Sequence, residues 1–407
     1  MPSKPTHSTE PGSSGVLGIV LALGGTQTLA WASSTYLPAI LAAPIARDLG
    51  LARATVFGAF SVALLVMAAT GPLVGRAIDR AGGRNTLMLS NLVLAGGLVL
   101  LGFAHNAAML FAAWAVLGVG MAMGLYDAAF AALVHIYGQS ARKAITGITL
   151  VAGFASTVGW PLTALLDAQL GWRNACFVWA ALHILIALPV NAWWLPKSAG
   201  RHATHNAQAA GAEPDTARAQ RSRRRTFVLL AVFSAATAFV TSAFAAHLPG
   251  LLLAMGAGSA AALIAASLLG PAQVAARFME FGVVTRFKVH PLATARVATA
   301  LHPVGALLLV IFGGPPALAA AFAILHGAGN GMITIAKGTL PLALFGPVGY
   351  GLLQGWLGIA SRAMQALAPY AFGLVLDGAG GKAALMVSGG LSLLALGALL
   401  LLRAPRG

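Results

Sequence analysis

Three ionisable side chains, Asp127, Lys337 and Arg362, sit inside long apolar runs of a 407-residue chain in which only 8% of residues are charged. A charge at bilayer depth costs several kcal/mol unless it is paired or hydrated, so each of the three needs a reason to be there. At the 1.5 Å rise of a helix, Asp127 lies about 16 Å before Gly138, Lys337 about 13 Å before Gly346 and Arg362 about 20 Å after Gly349, which puts all three near mid-depth. Two chemistries are open to them. In one, Asp127 pairs with Lys337 or Arg362 and ties separate elements together. In the other, two cations against one carboxylate leave a positively biased cavity suited to an anion, with Arg362 holding an oxyanion in a two-point fork. Asp127 or His326 is the expected carrier of an exchangeable proton.

Helical spacing shows what shares their faces. His326, Asn330, Thr334, Lys337 and Pro341 recur at intervals of three and four and form one polar stripe on an otherwise apolar run. Gly355, Gly358, Arg362, Gln365 and Pro369 do the same on another run, and Gln27, Trp31, Ser34 and Pro38 on the first. Gly120 and Gly124 lead into Asp127 and leave room beside it. The expected binding residues are therefore Asp127, Lys337, Arg362, His326, Asn330, Gln365, Gln27 and Trp31. His183 and His247 read as packing histidines, and Asp167 and Asp377 as solvated helix ends.

These residues must be positioned by membrane helices. With 58% hydrophobic side chains, the chain has too little polar surface to cover a soluble globule. Twelve apolar runs are each long enough to cross the hydrocarbon core. They cover residues 16 to 42, 54 to 75, 85 to 104, 107 to 137, 145 to 167 and 174 to 195, then 227 to 254, 258 to 279, 294 to 313, 315 to 345, 350 to 376 and 384 to 402. The runs are too long and too unalternating for barrel strands, so each is expected to be a helix. Alternate sides carry 19 and 4 Lys and Arg residues, an asymmetry that puts both termini in the cytoplasm. Residues 1–15 read as an uncleaved cytoplasmic tail, 196–226 as a flexible cytoplasmic linker and 403–407 as a cytoplasmic C-terminal tail. The net charge of +16 has no aromatic-interleaved basic surface beside it, so nucleic acid is not an expected partner. The single Cys176 excludes an internal disulfide and a thiolate metal cluster.

The two halves echo each other. Tyr36-Leu37-Pro38 matches His247-Leu248-Pro249, Gly71-Pro72 leading to Arg76 matches Gly270-Pro271 leading to Arg277, and Phe154-Ala155-Ser156 matches Ile359-Ala360-Ser361, all in the same order. An internal repeat of this kind is how secondary transporters are built. The loop after the second run, Gly71 to Asn85, reads GPLVGRAIDRAGGRN. Its Gly75, Asp79, Arg80, Gly82 and Arg84 resemble the G-x-x-x-D-R-x-G-R-R signature of the major facilitator superfamily, with Gly83 standing where the family usually has its first Arg. The resemblance implies an all-α integral membrane protein of twelve transmembrane helices in two pseudo-symmetric six-helix bundles, residues 16–195 and 227–402. It also implies a central cavity lined by spans one, four, seven and ten, and a conformational gate formed by Gly75, Asp79, Arg80 and Arg84. Asp79 is expected to accept hydrogen bonds from the amides that open span eleven and to pair with an Arg of the other half.

Other classes fit less well. There is no phosphate-cradling loop for an ATP-driven pump, no H-E-x-x-H and no paired intramembrane carboxylates, so an enzyme is not expected. A channel would repeat pore motifs with oligomeric symmetry. The expected function is a monomeric, proton-coupled secondary transporter of a small anionic solute in the bacterial inner membrane, with no cofactor and no bound metal. The partners implied are the solute, a coupling proton and the lipid bilayer. The alternatives are an efflux pump for a toxic drug or metalloid, and a non-transporting membrane sensor.

Overall fold

Backbone amides and carbonyls in hydrocarbon must be satisfied within their own segment, and this chain meets that requirement with helices alone. The computed structural model describes residues 13–197, 217–287 and 289–403, and no strand occurs among them. The N-terminal half comprises α1 (Ser13–Ala32), α2 (Leu37–Asp48), α3 (Arg53–Ala81), α4 (Gly83–Gly102), α5 (Ala107–Gly124), α6 (Tyr126–Tyr137), α7 (Arg142–Ala152), α8 (Ala155–Leu170), α9 (Trp172–Leu182) and α10 (Leu188–Trp194). The C-terminal half comprises α11 (Ala217–Ala254), α12 (Ser259–Phe287), α13 (Pro291–Phe312), α14 (Pro316–Phe345) and α15 (Tyr350–Leu401).

The expectation of twelve discrete membrane helices is corrected by this arrangement. Among the described residues, ten helical segments are long and apolar enough to cross a membrane. The runs 107–137 and 145–167 belong to one 64-residue segment, Ala107–Leu170, and the runs 350–376 and 384–402 to one of 52 residues, Tyr350–Leu401. The reason is local. Residues 138–141 form a 3₁₀ turn that passes directly into α7, and Gly380 (φ 82, ψ 176) kinks α15 without a polar loop on either side. The expected linker falls largely outside the described residues, and its last part, from Ala217, is already helical, so the basic run Arg221 to Arg225 rides on α11. The tails at 1–12 and 404–407 also lie outside the described residues.

Several helices break where the sequence gives them cause. Between α1 and α2 the chain turns at Ser33 to Tyr36, and Pro38 enters α2 in its first turn, where its missing N–H is harmless. Between α5 and α6 Leu125 is extended (φ −86, ψ −172), so α6 begins in mid-chain of an apolar segment with Asp127 in its first turn. A carboxylate there faces the free amides and positive end of the helix dipole.

Four apolar cores hold the molecule. Two are built almost wholly from the N-terminal half, around Trp114 and Trp179 and around Phe130 and Ile145; two lie in the C-terminal half, around Phe244, Phe322 and Phe372 and around Phe233 and Leu340. The second core also takes in Leu342 and Tyr350 from the C-terminal half. Large apolar side chains such as Leu185, Leu263 and Trp193 stay exposed, as a surface solvated by lipid requires. Where Pro369 leaves the Gln365 carbonyl without its helical donor, the Ser242 hydroxyl supplies one at 2.9 Å.

Candidate functional site

The intramembrane charges meet between the halves. Arg362 Nη2 of α15 donates to Asp127 Oδ2 of α6 at 3.0 Å, and Arg362 Nη1 donates to Gln365 Oε1 at 2.8 Å. Both arms of the Arg362 fork are therefore occupied in this conformation. The pair is partly buried, with side-chain exposures of 14% for Arg362 and 32% for Asp127, so it is stronger than a surface pair without being cut off from water. Lys337 lies within electrostatic reach of both but forms no ion pair within 4.0 Å among the described residues. A small cavity lined by Gly71, Gly75, Asp127, Gly355 and Arg362 adjoins the pair.

Below it, α3 crosses the start of α15. The Asp79 carboxylate accepts from the Gly351 amide through Oδ1 and from the Leu352 amide through Oδ2, each at 2.8 Å. These amides are in the first turn of α15, where no helical carbonyl is available to them. No Arg lies within 4.0 Å of Asp79 among the described residues, so the carboxylate is held by backbone rather than by the side-chain pair suggested by the sequence. Arg84 instead donates to the Ala192 carbonyl at 3.2 and 2.7 Å, closing the C-terminal end of α10. Arg80 is exposed. Asp79→Asn keeps the shape but replaces one acceptor oxygen by a donor that faces an amide. Hydrogen bonds to a charged group are worth about 1.5–3 kcal/mol, so the crossing should weaken roughly tenfold to hundredfold. Spin labels at the exposed Ala77 and Val348 should then report a longer separation, and an unchanged distance distribution would contradict this role.

The remaining candidates sit higher in the cleft. Gln27 Nε2 donates to the Gly124 carbonyl just before the α5–α6 break, leaving Gln27 Oε1 buried without a partner. The Trp31 ring packs against Tyr126 at 4.9 Å and Tyr36 at 6.0 Å, and Tyr36 meets Trp160 edge-on at 5.7 Å. Trp31 Nε1 is also buried and unpartnered. Asn330 Oδ1 accepts from Thr241 at 2.7 Å, and His326 Nδ1 contacts His302 Nδ1 at 2.9 Å. The structure thus brings Asp127, Arg362, Gln365 and Lys337 together, Gln27 and Trp31 into an aromatic wall, and His326 and Asn330 into a separate polar group. His183 is a packing residue, held between Ser33 and Asn91.

Arg277, matched in the internal repeat to Arg76 of the expected loop, is itself buried in a helix. It lies on α12, ten residues before Phe287, and is 6% exposed. Its Nε donates to the Gly331 carbonyl at 3.3 Å, Nη1 to the Thr149 carbonyl at 3.0 Å and Nη2 to Thr334 Oγ1 at 3.5 Å. The Thr149 carbonyl is in the last turn of α7, where helical donors run out, and Arg277 fills that vacancy from the other half. The Tyr126 side chain contacts the same guanidinium, and Tyr36 lies within its electrostatic reach. Its hydrogen-bond partners are all neutral, and no carboxylate lies within 4.0 Å among the described residues. Glu280, also buried, stands three residues further along α12, within electrostatic reach of Arg277 and Arg142.

Comparison with known proteins agrees with this architecture. Over 125 residues the chain is 31% identical to monocarboxylate transporter 14 of Mus musculus, covering 30% of this chain and 24% of that protein. Over 165 residues it is 26% identical to the purine ribonucleoside efflux pump NepI of Shigella sonnei, covering 40% of each. The aligned part thus spans well under half the length of these relatives. The crystal structure of the human organic anion transporter MFSD10 (TETRAN) is similar in fold, with a TM-score of 0.68 at 17% identity over 96% of this chain and 100% of that one. The family model described as Major Facilitator Superfamily matches residues 23–301, most of the chain. The halves of this multi-pass helical protein meet at buried charges, and its sequence matches that model over most of its length: the chain belongs to the Major Facilitator Superfamily.

Proposed function

We propose that this chain is a secondary active transporter that carries a small anion, of the size of a monocarboxylate, across the bacterial inner membrane in company with a proton. Residues 16–195 and 227–402 rock against each other around a central site, with both termini on the cytoplasmic side and the Asp79 crossing closing the cytoplasmic end. Arg277 is the observation that carries the reading. It is a buried guanidinium that bridges the two halves through neutral acceptors only among the described residues, so a carboxylate entering the cleft would find a cation with no anion of those residues bonded to it. The unpartnered Gln27 Oε1 and Trp31 Nε1 on the facing wall offer an acceptor and a donor to the rest of the solute. Two similar proteins, a monocarboxylate transporter and an organic anion transporter, favour the same reading.

A second reading, export of a planar solute such as a purine ribonucleoside, is favoured by the rings of Trp31, Tyr36, Tyr126 and Trp160, on which a flat molecule would stack. Thermal unfolding of the purified protein against lactate, pyruvate, acetate, dicarboxylates and purine ribonucleosides separates the two. A ligand at a hundred times its Kd stabilises the folded state by about 2.7 kcal/mol, a shift of several degrees that the carboxylates should produce. Stabilisation by ribonucleosides alone would displace the anion reading in favour of the second.

A further inference from the structure

We propose that His302 and His326 form one proton-binding site that takes up and releases a single proton during transport, a role that deepens the proton-coupled reading above and rests on it. His302 is on α13 and His326 on α14, and each is 4% exposed. Their Nδ1 atoms are 2.9 Å apart, with the rings inclined at 67°. Phe244 and Phe322 enclose both imidazoles, with centroid distances between 4.7 and 6.0 Å. His302 Nε2 is buried with no hydrogen-bond partner among the described residues. The rings open on one small cavity, to which Thr237, Thr241, Thr299, Asn330 and Ser392 contribute the other polar groups.

The proton count follows from the geometry. Two neutral imidazoles share two N–H groups among four nitrogens. The Nδ1 to Nδ1 contact requires that one ring hold its proton on Nδ1 and leave its Nε2 bare, while the other accepts at Nδ1 and holds its proton on Nε2. One further proton, taken from water, adds to the bare Nε2 and turns the inter-ring bond into a charge-assisted one without breaking it. A second would set two N–H donors against each other at 2.9 Å. The pair therefore titrates as a unit with a capacity of one.

No residue lining the cavity from α11, α13, α14 or α15 is charged. Beyond the cavity, His247 of α11 packs on Phe372, which itself packs on Phe244, and its Nε2 contacts the Pro369 carbonyl of α15 at 2.8 Å. Asn330 and Thr334 follow His326 on the same face of α14, Thr334 accepts from Arg277, and eight residues of helix place it about 12 Å from His326. Lys337 is one turn beyond. A proton on the pair adds a positive charge to the site that Arg277 anchors, and at that separation strengthens anion binding about tenfold. Anion and proton then enter and leave together.

Two measurements test this on the full chain. Nitrogen NMR of isotope-labelled histidine in the purified protein should show two rings titrating together, with one proton taken up between them and a coupling through the inter-ring hydrogen bond. Independent titration of the two rings, or none, overturns the proposal. Proteoliposomes of phosphatidylethanolamine and phosphatidylglycerol with an internal pH dye then give protons moved per L-lactate for wild type, His302→Gln and His326→Gln. Each variant should show at least a tenfold fall in that ratio. Because it is a ratio, loss of folded protein does not imitate it, and an unchanged ratio overturns the coupling role. If L-lactate does not move in wild type, the anion reading fails, and the NMR titration decides the pair by itself.

Discussion

Arg277→Gln is expected to raise the KM for a small carboxylate about a hundredfold, while Arg277→Lys recovers part of the loss. The guanidinium is buried at the junction of α7, α12 and α14, and its present partners are two backbone carbonyls and a threonine hydroxyl. An anion replaces neutral acceptors by a charged one. Removing one partner of a desolvated, hydrogen-bonded charge pair costs roughly 2–5 kcal/mol, and a hundredfold lies inside that range. Lysine restores the charge but not the planar fork, so it should recover affinity without restoring selectivity for planar carboxylates. Gln preserves a donor to Thr149, which limits structural damage, and the comparison should be made at equal folded abundance. The split between KM and kcat is the discriminating readout. A purely structural arginine would lower folded protein and kcat together, whereas an anchor for the ground-state anion raises KM first. A wild-type KM in Arg277→Gln would remove the residue from the binding site.

Arg277 also shows where sequence reasoning stopped. It was paired with Arg76 through the internal repeat, each following a Gly-Pro step. Gly71 to Arg76 is five residues, whereas Gly270 to Arg277 is seven. Two extra residues on a helix turn a side chain by about 200°, to the opposite face. Arg76 is accordingly exposed and Arg277 buried. The helix that carries the apolar run ending at 279 continues to Phe287, and the lone carboxylate Glu280 just past that run is buried on it. His302 lay on no polar stripe, and its meaning appears only when α13 places it against His326.

Other features were legible because local rules settle them. Intervals of three and four put His326, Asn330 and Thr334 on one face; His326 and Asn330 line one cavity, and Thr334 meets Arg277. Asp127 and Arg362, set at similar depth by counting residues from flanking glycines, pair across the halves, while Lys337 stands within electrostatic reach of them without an ion pair among the described residues. The number of separate membrane helices was not legible. Hydrophobic runs mark apolar length, whereas continuity depends on single backbone conformations such as that of Gly380.

Gly75→Val should abolish the closed conformation and cut transport by more than a hundredfold. A Cβ on Gly75 would stand 2.0 Å from the Gly351 carbonyl oxygen and 2.4 Å from its carbon, with Leu352 N at 2.9 Å. All three are backbone atoms, so no rotamer change relieves the overlap, and α3 must move away from the start of α15. The movement falls one turn from Asp79, whose two bonds to Gly351 and Leu352 would open with it. At about 1.5–3 kcal/mol each, losing both removes roughly 3–6 kcal/mol from the closed state before the overlap is counted. Inverting a two-state population from 99:1 to 1:99 takes about 5.5 kcal/mol, so the closed state should become the minor one. Since only a protein that visits both conformations completes a cycle, turnover falls while ligand affinity in the favoured state persists. Gly96→Ala is the control, because a Cβ there meets nothing within 4 Å. Label distances between Ala77 and Val348 should lengthen in Gly75→Val and stay at the wild-type value in Gly96→Ala. If Gly75→Val keeps the short distance and normal turnover, the α3–α15 crossing is packing and not a gate.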